Sequence, residues 1–159
     1  MKSTCMKTIL ILLMIFPILV FSQTKEETLE WLNSKLLEHT EQIMGQYKFE
    51  IEKANGQEII YVTKMTNFGS GPTPSYFYFL PADISAVNLT TAYRTDGKLS
   101  IRLDSKSNKI LKGDNLTDQL PIYCKASPDD EIKRIQKGII HLLNLMGNPI
   151  QEPKELFKD

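Results

Sequence analysis

The chain of 159 residues has two cysteines, Cys5 and Cys124, and two histidines, His39 and His141. A thiol beside an imidazole base is the least that a nucleophilic hydrolase of the cysteine type requires. In "QLPIYCK", however, Cys124 shares the parity of Leu120 and Ile122, which look inward, so it reads as a small buried apolar residue. His141 lies just off the apolar stripe of its helix and reads as a boundary residue. His39-Thr40-Glu41 has the H-x-E spacing of a zinc deaminase, but no P-C-x-x-C follows. Two histidines and one thiol do not assemble a zinc site. "FGSGP", from Phe68 to Pro72, has no lysine at Walker spacing and is no nucleophile elbow. It reads as a loop between strands that is also available for binding. The expectation is a protein with no catalytic residue, no metal and no cofactor.

Binding is the better-supported chemistry. Trp31 falls on the polar side of its helix, between Glu30 and Lys35 and away from Leu29 and Leu36. It serves either as a second packing face or as an anchor for a protein contact, a role in which tryptophan is enriched. In the aromatic run Tyr76 to Phe79, alternation puts Phe77 and Phe79 on one face and Tyr76 and Tyr78 on the other. The candidate contact residues are therefore Trp31, Phe68, Ser70, Tyr76 and Tyr78, with the loop Asn67 to Ser75 carrying two of them.

The location of the chain bears on its partners. Lys2 and Lys7 precede "ILILLMIFPILVF", Ile9 to Phe21, and Val20 and Ser22 are tolerable at the −3 and −1 positions of a signal peptidase site. Charge, core and exit together spell a secretory signal peptide over residues 1–22. The apolar run is shorter than the roughly 20 residues of a spanning helix and contains Pro17, so no stable membrane anchor is expected. The protein is expected to be exported, to the periplasm or beyond the cell. Lys and Arg number 19 against 19 Asp and Glu, and losing Lys2 and Lys7 tips the balance slightly acidic. Such a surface offers no basic field for nucleic acid or an anionic membrane. With Cys5 gone, Cys124 has no disulfide partner, and packing alone must hold the fold.

Gln23 onward suits one modest domain to Gly147, with a flexible tail over 148–159. Thr24 and Glu27 form a capping box for a helix predicted over Lys25 to Met44, with Leu29, Leu32, Leu36 and Ile43 on its stripe. The period then changes to two. Tyr47, Phe49 and Ile51 alternate with charged residues, and Asn55-Gly56 turns the chain into "EIIYVTKMT". "YFYFL" is a third strand, and the pair on either side of Asp96-Gly97 is the surest hairpin. A short strand near Lys109 to Lys112, broken by "GDN", and a last one over Gln119 to Lys125 bring the total to seven. The chain then enters "DDEIKRIQKGIIHLLNLMG", whose stripe is Ile132, Ile135, Ile139, Leu143 and Met146. Ser127 is its expected N-cap, Pro128 its first residue, and Gly147 its stop.

Seven antiparallel strands closed by one amphipathic helix resemble the pleckstrin-homology-like (PH-like) barrel, from Gln46 to Gly147. "FLPADIS" before the fourth strand is similar to small uncharacterised exported bacterial proteins with this barrel. The resemblance implies an α+β fold, a seven-stranded antiparallel barrel or orthogonal sandwich capped by the C-terminal helix, with the leading helix as an addition. Lipid-binding members hold inositol phosphates with basic residues around the first hairpin. Here "EKANGQEII" offers Lys53 alone among acidic neighbours, so a phosphoinositide is not expected. Other members bind protein segments, and a non-enzymatic module for another protein or peptide is the expected function. A lipocalin-like carrier of a small apolar ligand is the alternative, and a hydrolase using Cys124 the third.

Overall fold

The computed structural model describes residues 23–40, 44–91, 99–125 and 127–151; the leader, the Asp96-Gly97 turn and the chain from 152 lie outside them. Helix α1 spans Lys25–His39. Both halves of its capping box are made: the Glu27 amide donates to Thr24 Oγ1 at 3.1 Å, and the Thr24 amide to Glu27 Oε2 at 2.9 Å. The helix stops at His39, short of the Met44 that spacing suggests. Thr40 turns extended, and its amide and hydroxyl both donate to the Leu36 carbonyl, a local bond that competes with helix continuation.

Strands β1 (Gln46–Ala54) and β2 (Gln57–Asn67) form the expected hairpin. Asn55 and Gly56 supply the two positive φ angles, 51° and 79°, that its tight turn requires. β3 (Pro72–Phe79) returns along β2 from Pro72 opposite Asn67 to Phe79 opposite Ile60. It begins four residues before "YFYFL", so the loop contracts to Phe68 to Gly71. Pro72 and Pro74 lack an N–H, but the far side of β3 is paired only at Phe77 and Tyr78, and an unpaired strand side tolerates proline. A short 3-10 turn (Pro81–Asp83) leads to β4 (Ile84–Thr91), β5 (Leu99–Ser105), β6 (Ile110–Lys112), β7 (Asn115–Thr117), β8 (Gln119–Ile122) and helix α2 (Asp129–Leu145).

Every strand pair is antiparallel, in a five-stranded sheet ordered β1-β2-β3-β6-β7 and a three-stranded sheet ordered β4-β5-β8. The fold is α+β with antiparallel sheets and a C-terminal helix, as the periodicity indicates. Two details of the expectation are corrected. The strands number eight, not seven, because Gly113-Asp114 does not end the strand. It is a two-residue turn with positive φ, 56°, at its glycine, and it pairs Lys112 with Asn115. The sheets also do not close into a barrel, so β1, β7, β4 and β8 remain edges.

Helical carboxamides occupy two of those edges. Asn33 of α1 donates to the Phe49 carbonyl at 2.8 Å and accepts from the Phe49 amide at 2.7 Å, as a neighbouring strand would. Gln136 of α2 donates to the Val87 carbonyl of β4 at 2.7 Å. Past Gly147 the chain is still held. Asn148 is buried and donates to the carbonyls of Pro81 and Ile84 at 2.6 and 2.9 Å, so residues 148–150 belong to the packed body. The stripe read from sequence is the buried one: Ile132, Ile135, Ile139 and Leu143 sit among Phe49, Val62, Ile101 and Leu103 in one core. Each such side chain contributes about 1.5 to 3 kcal/mol.

Asn33→Ala removes both partners of Phe49 at once. Its expected cost is about 1 to 3 kcal/mol in urea unfolding. An unchanged midpoint would show that water replaces the amide there.

Candidate binding site

Register decides which side chains share a surface. On the side of the five-stranded sheet away from the core, Tyr61 lies opposite Tyr78, Tyr78 opposite Leu111, and Leu111 opposite Leu116. Four strands thus place four apolar or aromatic residues in one row. Tyr76 adds to it, its ring stacked on Tyr61 at 5.7 Å and 18°, while Tyr78 tilts against Tyr61 at 4.7 Å. Tyr76 is 40% exposed, Leu111 37% and Leu116 65%. The row continues toward β1 into a groove of about 650 Å³ between the outer flank of α1 and the sheet, lined by Leu37, Met65, Thr63, Ser34, Lys48 and Glu50. Leu37, at the lip of this groove, is 62% exposed.

The three-stranded sheet presents a different outer surface. Asp104 there accepts from Asn88 at 2.7 Å and pairs with Arg102 at 2.7 Å. One outer face carries a polar cluster of Asn88, Arg102 and Asp104; the other is aromatic and open.

Tyr76 and Tyr78 are therefore brought together, with Phe77 and Phe79 buried behind them as alternation predicts. Phe68 and Ser70 lie apart from them in the β2–β3 turn, and Phe68 is 70% exposed. Trp31 is elsewhere again. It packs against α2 at Gly138, where a Cβ would stand 2.3 Å from its ring, and its outer edge lines a shallow cleft with Lys137 and His141. This is the second packing face of α1. Tyr61, Leu111 and Leu116 were not singled out by sequence. The signal for Tyr61 is weak because Ile59, Tyr61 and Met65 alternate with Ile60 and Val62, leaving both faces of β2 apolar.

The nucleophile candidates are placed as follows. Cys124 is 2% exposed, and its thiol donates to the Ile122 carbonyl. Burial pushes this thiol up from its ordinary 9.0 to about 12. Ser127 does not cap α2: Pro128 stands at that position, and the Ser127 hydroxyl instead meets His39 Nδ1 at 2.9 Å. His39 Nε2 lies 3.9 Å from Glu131 and 3.6 Å from Glu38, and its carbonyl accepts from the Lys125 amide at 2.9 Å. The ring is buried, and the group ties the end of α1 to the chain leaving β8 and to the start of α2. Glu41 lies outside the described residues. Among the described residues no cluster of His, Cys, Asp and Glu is placed to hold a metal, and no helix is long and apolar enough to cross a membrane.

Compared with family models, curated proteins and solved structures, the chain shows no match. The site must be read from its own geometry.

The raised thiol has a consequence for stability. Tyr47, whose phenol is buried between the sheets, is also raised above its ordinary range, chiefly by desolvation. Both groups ionise more readily in the unfolded chain, so the unfolded chain loses protons first as pH rises. The stability these two groups contribute should therefore be lost as pH rises above about 9 toward about 12. The fall in Tm is expected to be shallower in Cys124→Ala, and a thiol reagent should label native protein only once denaturant is added. Labelling of the native protein near neutral pH would contradict both statements.

Proposed function

We propose that the protein is a non-enzymatic, exported binding module that holds another protein or peptide against the outer face of its five-stranded sheet. One observation carries this reading: the registered row Tyr61, Tyr78, Leu111 and Leu116, flanked by Tyr76, on a face that no other element covers among the described residues. Exposed contiguous apolar surface of this kind marks interaction sites, and tyrosine contributes large contact area at small entropic cost. Lys48 and Glu50, paired at 2.7 Å at the β1 border, give the row a charged rim, the arrangement of an interface with an apolar centre. The PH-like resemblance agrees with the reading, since members of that fold bind protein segments on sheet edges and beside the helix. Export rests on the leader sequence.

The two outer surfaces provide the control. Peptides selected from a random library on the immobilised protein should be rich in aromatic and aliphatic residues. Their binding should weaken at least about tenfold, or about 1.4 kcal/mol, in Tyr76→Ser and Leu116→Ser, with Tm little changed because both residues are exposed. Asn88→Ala on the polar sheet should leave binding intact. Peptides indifferent to Tyr76 and Leu116 would sink the proposal.

A further inference from the structure

Three of the four sheet edges are met from within the molecule. Asn33 meets β1 and Gln136 meets β4. The Tyr47 hydroxyl meets the end of β8, donating to the Pro121 carbonyl at 2.9 Å and accepting from the Tyr123 amide at 3.4 Å. The fourth edge is β7, the last strand of the five-stranded sheet. Alternate residues of an antiparallel strand turn their backbone groups to opposite neighbours. Gly113 donates to the Tyr76 carbonyl of β3 at 3.3 Å, so Leu111, two residues before it, also faces β3. Ile110 and Lys112 then face β7, where they pair with Thr117 and Asn115. Leu116, between those two, turns its N–H and C=O to the open side. Among the described residues nothing meets them.

This edge is fixed without being covered. Ser105 holds its end, with its hydroxyl donating to the Thr117 carbonyl at 3.4 Å and its amide to the Asp118 carbonyl at 2.7 Å. The aromatic row of the outer face runs to this edge and stops at Leu116, its most exposed member. Asp114 and Asp118, both exposed, stand two residues to either side of Leu116. Among the described residues neither carboxylate is in an ion pair. These two acids decide what can pair here. A second copy lying antiparallel on β7 about Leu116 would set the Asp114 of each copy opposite the Asp118 of the other, and like charges directly opposite destabilise a strand pair. Opposite charges at those places stabilise it, so the edge is complementary to a basic strand.

We propose that an extended, basic segment of a partner protein adds to β7 as a sixth antiparallel strand of this sheet. Its central residue is apolar, exchanges N–H and C=O bonds with Leu116, and lays its side chain on the outer face as the next member of the row. A lysine or arginine two residues to either side faces Asp118 and Asp114. In strand addition the backbone bonds supply affinity and the alternate side chains supply specificity. Strand addition rests on the outer-face reading above and adds to it the partner's conformation and charge.

The end-capped peptide TKTFTKT tests the proposal when titrated into isotope-labelled protein and followed by NMR. It should shift the amides of Asn115, Leu116 and Thr117 and slow hydrogen exchange at the Leu116 amide, which should be fast in the free protein. TETFTET should bind about tenfold or more weakly. TKTFTKT N-methylated at its phenylalanine loses the donor that faces Leu116 and should bind about fivefold or more weakly. N-methylation of the threonine before it, whose N–H faces away, should leave binding intact. In protein carrying Asp114→Asn and Asp118→Asn together, both at exposed positions, the preference for lysine over glutamate should vanish. Indifference to both N-methylations overturns strand addition. So does a Leu116 amide that stays unprotected, a charge preference that survives the double substitution, or a dimer in sedimentation that Leu116→Ser abolishes. If library-selected peptides depend on Tyr76 and Leu116 while TKTFTKT does not bind, strand addition falls and the outer-face reading stands; if neither binds, both fall.

Discussion

An antiparallel sheet that does not close leaves edge strands whose backbone groups on one side have no neighbour, and those groups must be satisfied or remain open to other chains. The rest of this structure depends on how two of these edges are met. Asn33 presents its carboxamide to Phe49 with the donor and acceptor pattern of a missing strand, and Gln136 covers Val87 on the other sheet. Each amide is carried by a helix, so the position of the helices is set by the sheets as well as by their apolar stripes. Trp31 on Gly138 then joins the helices to each other. The terminal helix is therefore one half of a clamp whose other half is the leading helix.

This arrangement determines which surface stays open. The clamp works at β1 and β4 and across the inner faces, and among the described residues no helix covers the outer faces. On the three-stranded sheet Asn88 and Arg102 both engage the Asp104 carboxylate. On the five-stranded sheet tyrosines and leucines meet solvent. The apolar residues of this water-facing surface pack on one another, as the rings of Tyr61, Tyr76 and Tyr78 do, and not on the core. A difference of this kind between two sheets of one molecule favours a partner for the aromatic one.

The elements were legible in sequence where local chemistry is decisive. Thr24 with Glu27, Asn55-Gly56 and the stripe of α2 each specify their structure within a few residues. Errors arose where a residue's ordinary meaning was overridden by what lies beside it. Gly113-Asp114 looks like a break, yet with a strand returning at Asn115 it is a turn. Pro72 and Pro74 look like punctuation, yet they fit a strand with one unpaired side. Ser127 looks like a cap, but His39 is near enough to take its hydroxyl. The candidate site was legible only in part. Tyr76 and Tyr78 follow from alternation, whereas Tyr61, Leu111 and Leu116 join them through register, and register between distant strands is not written in either strand alone. For Trp31 the sequence leaves a second packing face and a contact anchor both open, and only the absence of a side chain at Gly138 shows what that face meets.

The inner face of β2 carries Lys64 after Ile60 and Val62. A half-buried cation on an inward-facing strand position gives up solvation, which the Tyr47 and Tyr123 rings offset through cation–π contacts. The chain has also placed a glycine with φ +117° beside its stem and two rings around its head. Glycine in such a position carries an entropic cost of its own. An inward lysine and a positive-φ glycine, each a departure from the most stable choice, meet at the end of the core. The physical content of the molecule is thus divided. Helices and carboxamides supply a surplus of order, and that order holds a fixed cation inside one face of the sheet and an aromatic surface on the other.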